Sequence, residues 1–116
     1  MSAERPQLSS QLLAWASTNC RSGALRLGTD ELAAQLSILD GWALTGDRLE
    51  KTFHFADYHH TMAFVNALAW VAHREDHHPD LSVHYNRCVV AFSTHDAGGV
   101  TQNDVICAAK AERLFA

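Results

Sequence analysis

The amino-acid sequence predicts an α+β fold: a four-stranded antiparallel sheet with helices packed on one face, in the order α-β-β-α-β-β-α, with an extra N-terminal helix. Three observations carry this expectation. Apolar residues recur at helical spacing in well-separated stretches; the stretches between them alternate apolar and polar with period two; and each alternating stretch is interrupted by a short turn, so its strands come as a hairpin. Hairpins separated by helices settle most economically as one antiparallel sheet covered on one side, leaving the other face open to a partner subunit.

The elements follow in chain order. In "QLSSQLLAWAS", Leu8, Leu12, Leu13 and Trp15 are spaced for a helix that Ser9 or Ser10 can start. In "GTDELAAQLSILDGW", Thr29 is placed to cap, Asp30 and Glu31 favour the first turn, Leu32, Leu36 and Leu39 form a stripe, and Gly41 ends a helix of about three turns. Leu49, Lys51, Phe53 and Phe55 then alternate with Glu50, Thr52 and His54, and Gly46-Asp47 supplies the turn of a first hairpin.

Asp57 caps a long helix with Met62, Val65, Ala69 and Ala72 on one line and Phe64, Leu68 and Val71 beside it. Pro79 disfavours helical geometry at His78, so that helix should end near Asp76 or His77. "LSVHYN" and "RCVVAFSTH" read as a second hairpin, and "DAGGV" breaks the strand. Thr101 with Asp104 three residues on forms a capping-box pattern for a final helix that buries Val105, Ile106, Ala109 and Leu114.

Composition narrows the function. At 116 residues, with 47% hydrophobic and 19% charged residues, the chain is one globular domain, read as residues 29–116 preceded by a part-helical extension at 1–28. A net charge of −4 with 9 scattered Lys and Arg disfavours a nucleic-acid partner. Apolar runs fall far short of the ~20 residues of a membrane helix, so no membrane association is expected. Residues 1–28 hold Ser and Arg with one acid, Glu4, a weak likeness to an organelle transit segment. Cys20, Cys88 and Cys107 are odd in number and far apart in sequence, which fits a reducing compartment and a cytoplasmic protein.

The unusual stretch is "HREDHHPD", residues 73–80, with three histidines before a proline. His73 and His77 lie four apart and share a face for as long as the helix persists, and Glu75 and Asp76 can orient imidazoles by accepting their N–H groups. Histidines at a helix C-terminus also satisfy the helix dipole, but three together, with His95 beside a Gly-Gly break, favour a proton-transfer site. A zinc site is the rival, yet the HExxH order and thiolates at metal-finger spacing are missing. His54, His59, His60 and His84 read as surface or packing residues, and Cys88 and Cys107 as small hydrophobes.

The segment "EDHHPDLSVHYNRCVVAFSTHDAGGVTQNDVICAAKAE" closely resembles the signature region of the pterin-4a-carbinolamine dehydratases: His-His-Pro at His77, His78 and Pro79, a strand ending Tyr85-Asn86, a second ending Ser93-Thr94-His95, and a helix start at Gly99-Val100-Thr101 followed by Asp104. Gly41-Trp42 and "FHFADY" at 53–58 fit as well, so the likeness spans about residues 29–114.

The resemblance implies that family's fold, strands paired across subunits in a homodimer or homotetramer, a small-molecule pterin substrate, and neither metal nor cofactor. It implies catalysis by His77, His78 and His95, with His73, Asp76, Pro79, Thr94 and Asp96 around the pterin. His73 stands where many relatives carry Glu. The implied chemistry suits imidazole: the hydroxyl of a 4a-carbinolamine leaves poorly unless it is protonated as it goes, a ring proton must then be removed, and a pKa near ~6.5 serves both steps. A family alternative is a binding module that acts as a dimerisation cofactor for a transcription factor.

Overall fold

Gly46 and Asp47 close a tight turn in which Gly46 adopts φ +60°, a left-handed conformation open to glycine without steric cost. The turn sets β1 (Ala43–Thr45) antiparallel to β2 (Arg48–His54), with Leu44 opposite Leu49. β3 (Asp80–Val83) and β4 (Arg87–Phe92) form the second hairpin, with Val83 opposite Cys88. The two hairpins join through their inner strands, Leu49 opposite Phe92 and Phe53 opposite Cys88, so the sheet order is β1-β2-β4-β3. This register puts Leu49, Phe53, Cys88, Val90 and Phe92 on one face, all buried, as the period-two pattern requires.

A computed structural model of the chain describes residues 8–116 and has four helices among them: α1 (Ser10–Ala16), α2 (Thr29–Leu36), α3 (Tyr58–Glu75) and α4 (Gln102–Phe115). The expected α+β architecture is present. The part of the extension before Leu8 lies outside the described residues. α4 is the hub. It packs against α1, α3, β2 and β4, and its residues from Asn103 to Ala109 are all buried. Phe53 sits at the centre of an aromatic cluster with Phe64, Trp42 and Phe115, at ring separations of 4.7, 5.9 and 5.2 Å. Also on α4, Lys110 Nζ donates to Ala16 O at 2.8 Å and fixes the end of α1. Among the described residues no helix is long and apolar enough to cross a membrane.

Several local expectations need correction. The N-cap of α2 is Gly28, with Glu31 accepting its N–H, and Thr29 is already helical. That helix ends at Leu36 rather than at Gly41, whose φ of +83° instead turns the chain toward β1. On α3 the buried line is Thr61, Phe64, Leu68 and Ala72, while Ala69 is exposed. Thr61 is buried in a polar role, its hydroxyl donating to a carbonyl, Asp57 O at 2.8 Å or Tyr85 O at 3.0 Å. β3 stops at Val83, and Leu114 is 38% exposed because Phe115 takes the inward place beside Phe53.

Asp57 caps α3 as expected, accepting the His60 N–H at 2.8 Å. That backbone hydrogen bond, aided by the His60 ring, holds the Asp57 carboxyl below its ordinary value. A depressed carboxyl pKa contributes stability above the unfolded value of about 3.9 that is lost as pH falls through the folded value. Asp57→Asn keeps an acceptor but removes the titration. The stability difference between wild type and Asp57→Asn should therefore be constant above about pH 5 and shrink below about pH 4; urea unfolding across that range measures it, and a difference independent of pH would refute it.

Candidate active site

The exit of α3 decides where the histidines go. Asp76 adopts φ 51° and ψ 42°, its N–H donates to His73 O at 3.3 Å, and the His77 N–H reaches back to Ala72 O at 3.2 Å. This paired closure uses a left-handed residue where glycine is commonest; Asp is among the few others that adopt it readily. Because the helix stops at Glu75, His73 and His77 do not share a face. His73 stays on exposed α3 with its ring 5.6 Å from that of Trp70. His77 turns inward, and its side chain is 13% exposed.

His77 Nε2 lies 2.6 Å from Asp104 Oδ1. Asp104 is fully buried, and its other oxygen accepts the Thr101 N–H and the Thr94 hydroxyl, both at 2.8 Å. Since the Thr94 proton goes to the carboxylate, the 2.8 Å contact between the two threonine hydroxyls is donated by Thr101, whose oxygen in turn accepts the Asn103 N–H at 3.2 Å. Each donor in this network has an acceptor. The arrangement assigns the Nε2–H tautomer to a neutral His77, leaving Nδ1 without a proton. The ring lies nearly parallel to Phe92, at 10° and 6.1 Å between centroids, which limits its freedom to rotate.

The capping box read from Thr101 and Asp104 is thus also the support of a histidine that lies 27 residues earlier. The pattern located Asp104, but nothing local to it signalled His77. His77, with Asp104 buried behind it, opens on a cavity of about 910 Å³ lined also by Glu75, Asp76, Thr94, Asp96, Ala97 and Asn103 from the α3 exit, the segment after β4 and the start of α4. Its remaining wall is a segment missed by the sequence reading, Cys20–Arg26. His95 opens a short 3-10 turn (His95–Ala97) after Thr94. His78 and His95 are both exposed, and Pro79 is half-buried as it leads into β3. Among the described residues neither His78 nor His95 is hydrogen-bonded to another side chain. The structure therefore brings together His77, Thr94, Asp76 and Asp96, with Asp104 behind His77, and leaves His73, His78, Pro79 and His95 outside the cavity lining. No group of three metal-ligating side chains forms among the described residues.

The cysteines are closer than their spacing suggested. Cys20 Sγ lies 3.6 Å from Cys107 Sγ, and both remain free thiols. The Cys20 contact and burial push the Cys107 thiol far above its ordinary range, and burial raises Cys88, so both behave as the apolar fillers expected.

Comparison with known proteins identifies relatives of the chain. The family model for pterin 4 alpha carbinolamine dehydratase matches residues 25–114. A protein of Chromobacterium violaceum, provisionally named pterin-4-alpha-carbinolamine dehydratase, is 62% identical over 93 residues, 80% of this chain and 86% of its own. One of Xanthomonas oryzae pv. oryzae with the same provisional name is 62% identical over 92 residues, 78% of each chain. Among solved structures, a transcriptional coactivator/pterin dehydratase from Brucella melitensis superposes with TM-score 0.76 at 32% identity, covering 78% of this chain and 99% of that one. A pterin dehydratase-like RuBisCO assembly factor of the alpha-carboxysome, at TM-score 0.53 and 23% identity over 63% of this chain and 84% of its own, shares the fold. The motif at His77–Pro79, the buried support behind His77 and these matches together place the chain in the pterin 4 alpha carbinolamine dehydratase family.

Proposed function

We propose that the chain dehydrates a 4a-hydroxytetrahydropterin to the quinonoid dihydropterin, working in the cytoplasm in the recycling of a pterin cofactor. The observation that carries this reading is the His77–Asp104 pair at the cavity wall, 2.6 Å apart with the carboxylate fully buried. In the reaction the N5 lone pair forms the N5=C4a bond, the C4a–O bond breaks, the departing hydroxyl takes a proton to become water, and N5 loses its proton. His77, oriented by Asp104, and the adjacent His78 share the donor and acceptor roles. Each positioned transfer is worth roughly 10²–10⁴-fold. His95 polarises the ring, and His73, Asp76, Pro79, Thr94 and Asp96 form its surroundings.

The test follows the loss of freshly generated 4a-hydroxytetrahydropterin by absorbance, with and without the protein, in the presence of chelator. Acceleration insensitive to chelator is expected, and His77→Ala with His78→Ala should return the rate to nearly that of the uncatalysed reaction. Full activity in that folded double variant would overturn the assignment.

A second function is favoured by the surface. Tyr58 and Trp70 on α3 are 51% and 61% exposed, and Val83 and Tyr85 at the end of the open-edged β3 are 39% and 65% exposed. Large exposed apolar side chains and an unpaired strand edge suit burial against another subunit, which supports a homodimer or homotetramer. They would also suit a coactivator role like the one for which the Brucella protein is named. Light scattering on wild type and on Trp70→Glu tests the oligomer; a monomeric wild type would remove it.

A further inference from the structure

Building on the dehydratase reading, we propose that Cys20–Arg26 forms a subsite for the substituent at C6 of the pterin, and that Arg21 and Arg26 select substituents carrying an anionic oxygen.

The segment is fastened to both elements that carry the site. Glu75 Oε1, at the end of α3, accepts the Cys20 N–H at 2.7 Å. Asn103, in the first turn of α4 and next to Asp104, grips Arg21 from both sides: its Oδ1 accepts the Arg21 N–H at 3.1 Å and its Nδ2 donates to Arg21 O at 2.7 Å. Further along, Arg26 bridges to Thr101 and the Leu27 N–H donates to Val100 O at 2.9 Å. These bonds are made to backbone groups. They place the segment along the cavity while leaving the side chains of Arg21 and Arg26 uncommitted.

Arg21 and Arg26 both line the cavity and are exposed, and neither guanidinium has an ion pair or hydrogen bond among the described residues. Arg26 is laid over Gly99: a Cβ there would stand 2.9 Å from Arg26 Nε, so the missing side chain is what lets the arginine lie against the loop that presents His95 and Asp96. The other walls supply Asp76, Asp96 and Thr94, acceptors that suit the N–H-rich pyrimidine edge of a pterin. With that edge satisfied by acids, the two cations are left for what projects from the far ring. A cavity of about 910 Å³ has ample room for such a substituent. Guanidinium forks match phosphate and carboxylate oxygens in geometry and charge, and gain more from them than from a neutral hydroxyl.

The experiment measures binding of two stable ligands by fluorescence, 6-hydroxymethyl-7,8-dihydropterin and its phosphate ester, so it does not depend on turnover. The wild type should bind the ester at least about 10-fold more tightly at low salt. In Arg21→Ala/Arg26→Ala that advantage should fall to within about 2-fold, with the affinity for the neutral ligand falling far less than that for the ester. Should the double variant melt early, Arg21→Ala alone, whose side chain holds nothing in the fold, should still forfeit about 3-fold or more of the advantage. Equal affinity for the two ligands in the wild type, or an advantage that survives the substitutions, overturns the proposal. Lack of any acceleration of carbinolamine loss, with the ester preference intact, would instead sink the dehydratase reading alone.

Discussion

Asp104→Asn is expected to reduce dehydration about 10²–10⁴-fold while the protein stays folded. Asparagine can keep its oxygen toward the Thr101 N–H and the Thr94 hydroxyl, but its amide group then faces His77 Nε2 and requires that nitrogen to accept instead of donate. The proton moves to Nδ1, so a ring that should accept a proton there now carries one. Asp104→Ala goes further, leaving three donors at a fully buried site without their acceptor, at a cost of about 3 kcal/mol or more. Urea unfolding separates the two effects: the Asn variant should lose mainly activity and the Ala variant both. Wild-type turnover in a folded Asn variant would remove His77–Asp104 from the mechanism.

The largest loss of stability without loss of chemistry should come from Glu112→Ala, at the opposite end of α4. Glu112 is 8% exposed, accepts the Trp42 indole N–H at 2.9 Å and pairs with Lys51, whose side chain is 19% exposed. Removing the carboxylate leaves a largely buried ammonium without its counter-charge, which costs about 3–5 kcal/mol. Lys51 keeps one neutral acceptor, Asp40 O at 3.0 Å, and packs so closely on Gly41 that a Cβ there would meet its Cε at 3.0 Å, so it has little room to escape to water. Replacing both charges, as Lys51→Met with Glu112→Leu, should recover most of the loss. Thermal melts and kcat on the three variants check this. An intact Tm for Glu112→Ala would show that the pair contributes nothing.

The sequence was most legible where one short-range interaction decides the outcome. Asp57 and Thr101 cap helices because their oxygens meet N–H groups two or three residues on, and Gly46-Asp47 turns a hairpin within its own four residues. Errors arose where tertiary packing chose between local equivalents. Gly28 and Thr29 could each start α2; Leu114 and Phe115 could each face inward, and the aromatic cluster selected Phe115. In the site, the histidine motif and the acid at 104 could each be read, but their contact could not, since no period links residues 27 apart. The wall at Cys20–Arg26 has no repeat or turn signature of its own and is held by partners up to 83 residues away.

The central position of α4 bears on how the chain is made. This helix follows in sequence every strand and helix it packs against, and it supplies much of the buried surface that α1, α3 and the sheet share. During synthesis, the earlier elements emerge with their apolar faces unmatched, and α1 waits for a partner roughly 90 residues downstream. Assembly is therefore held back until Gln102–Phe115 leaves the ribosome, and a nascent chain stalled before that point should be a substrate for chaperones.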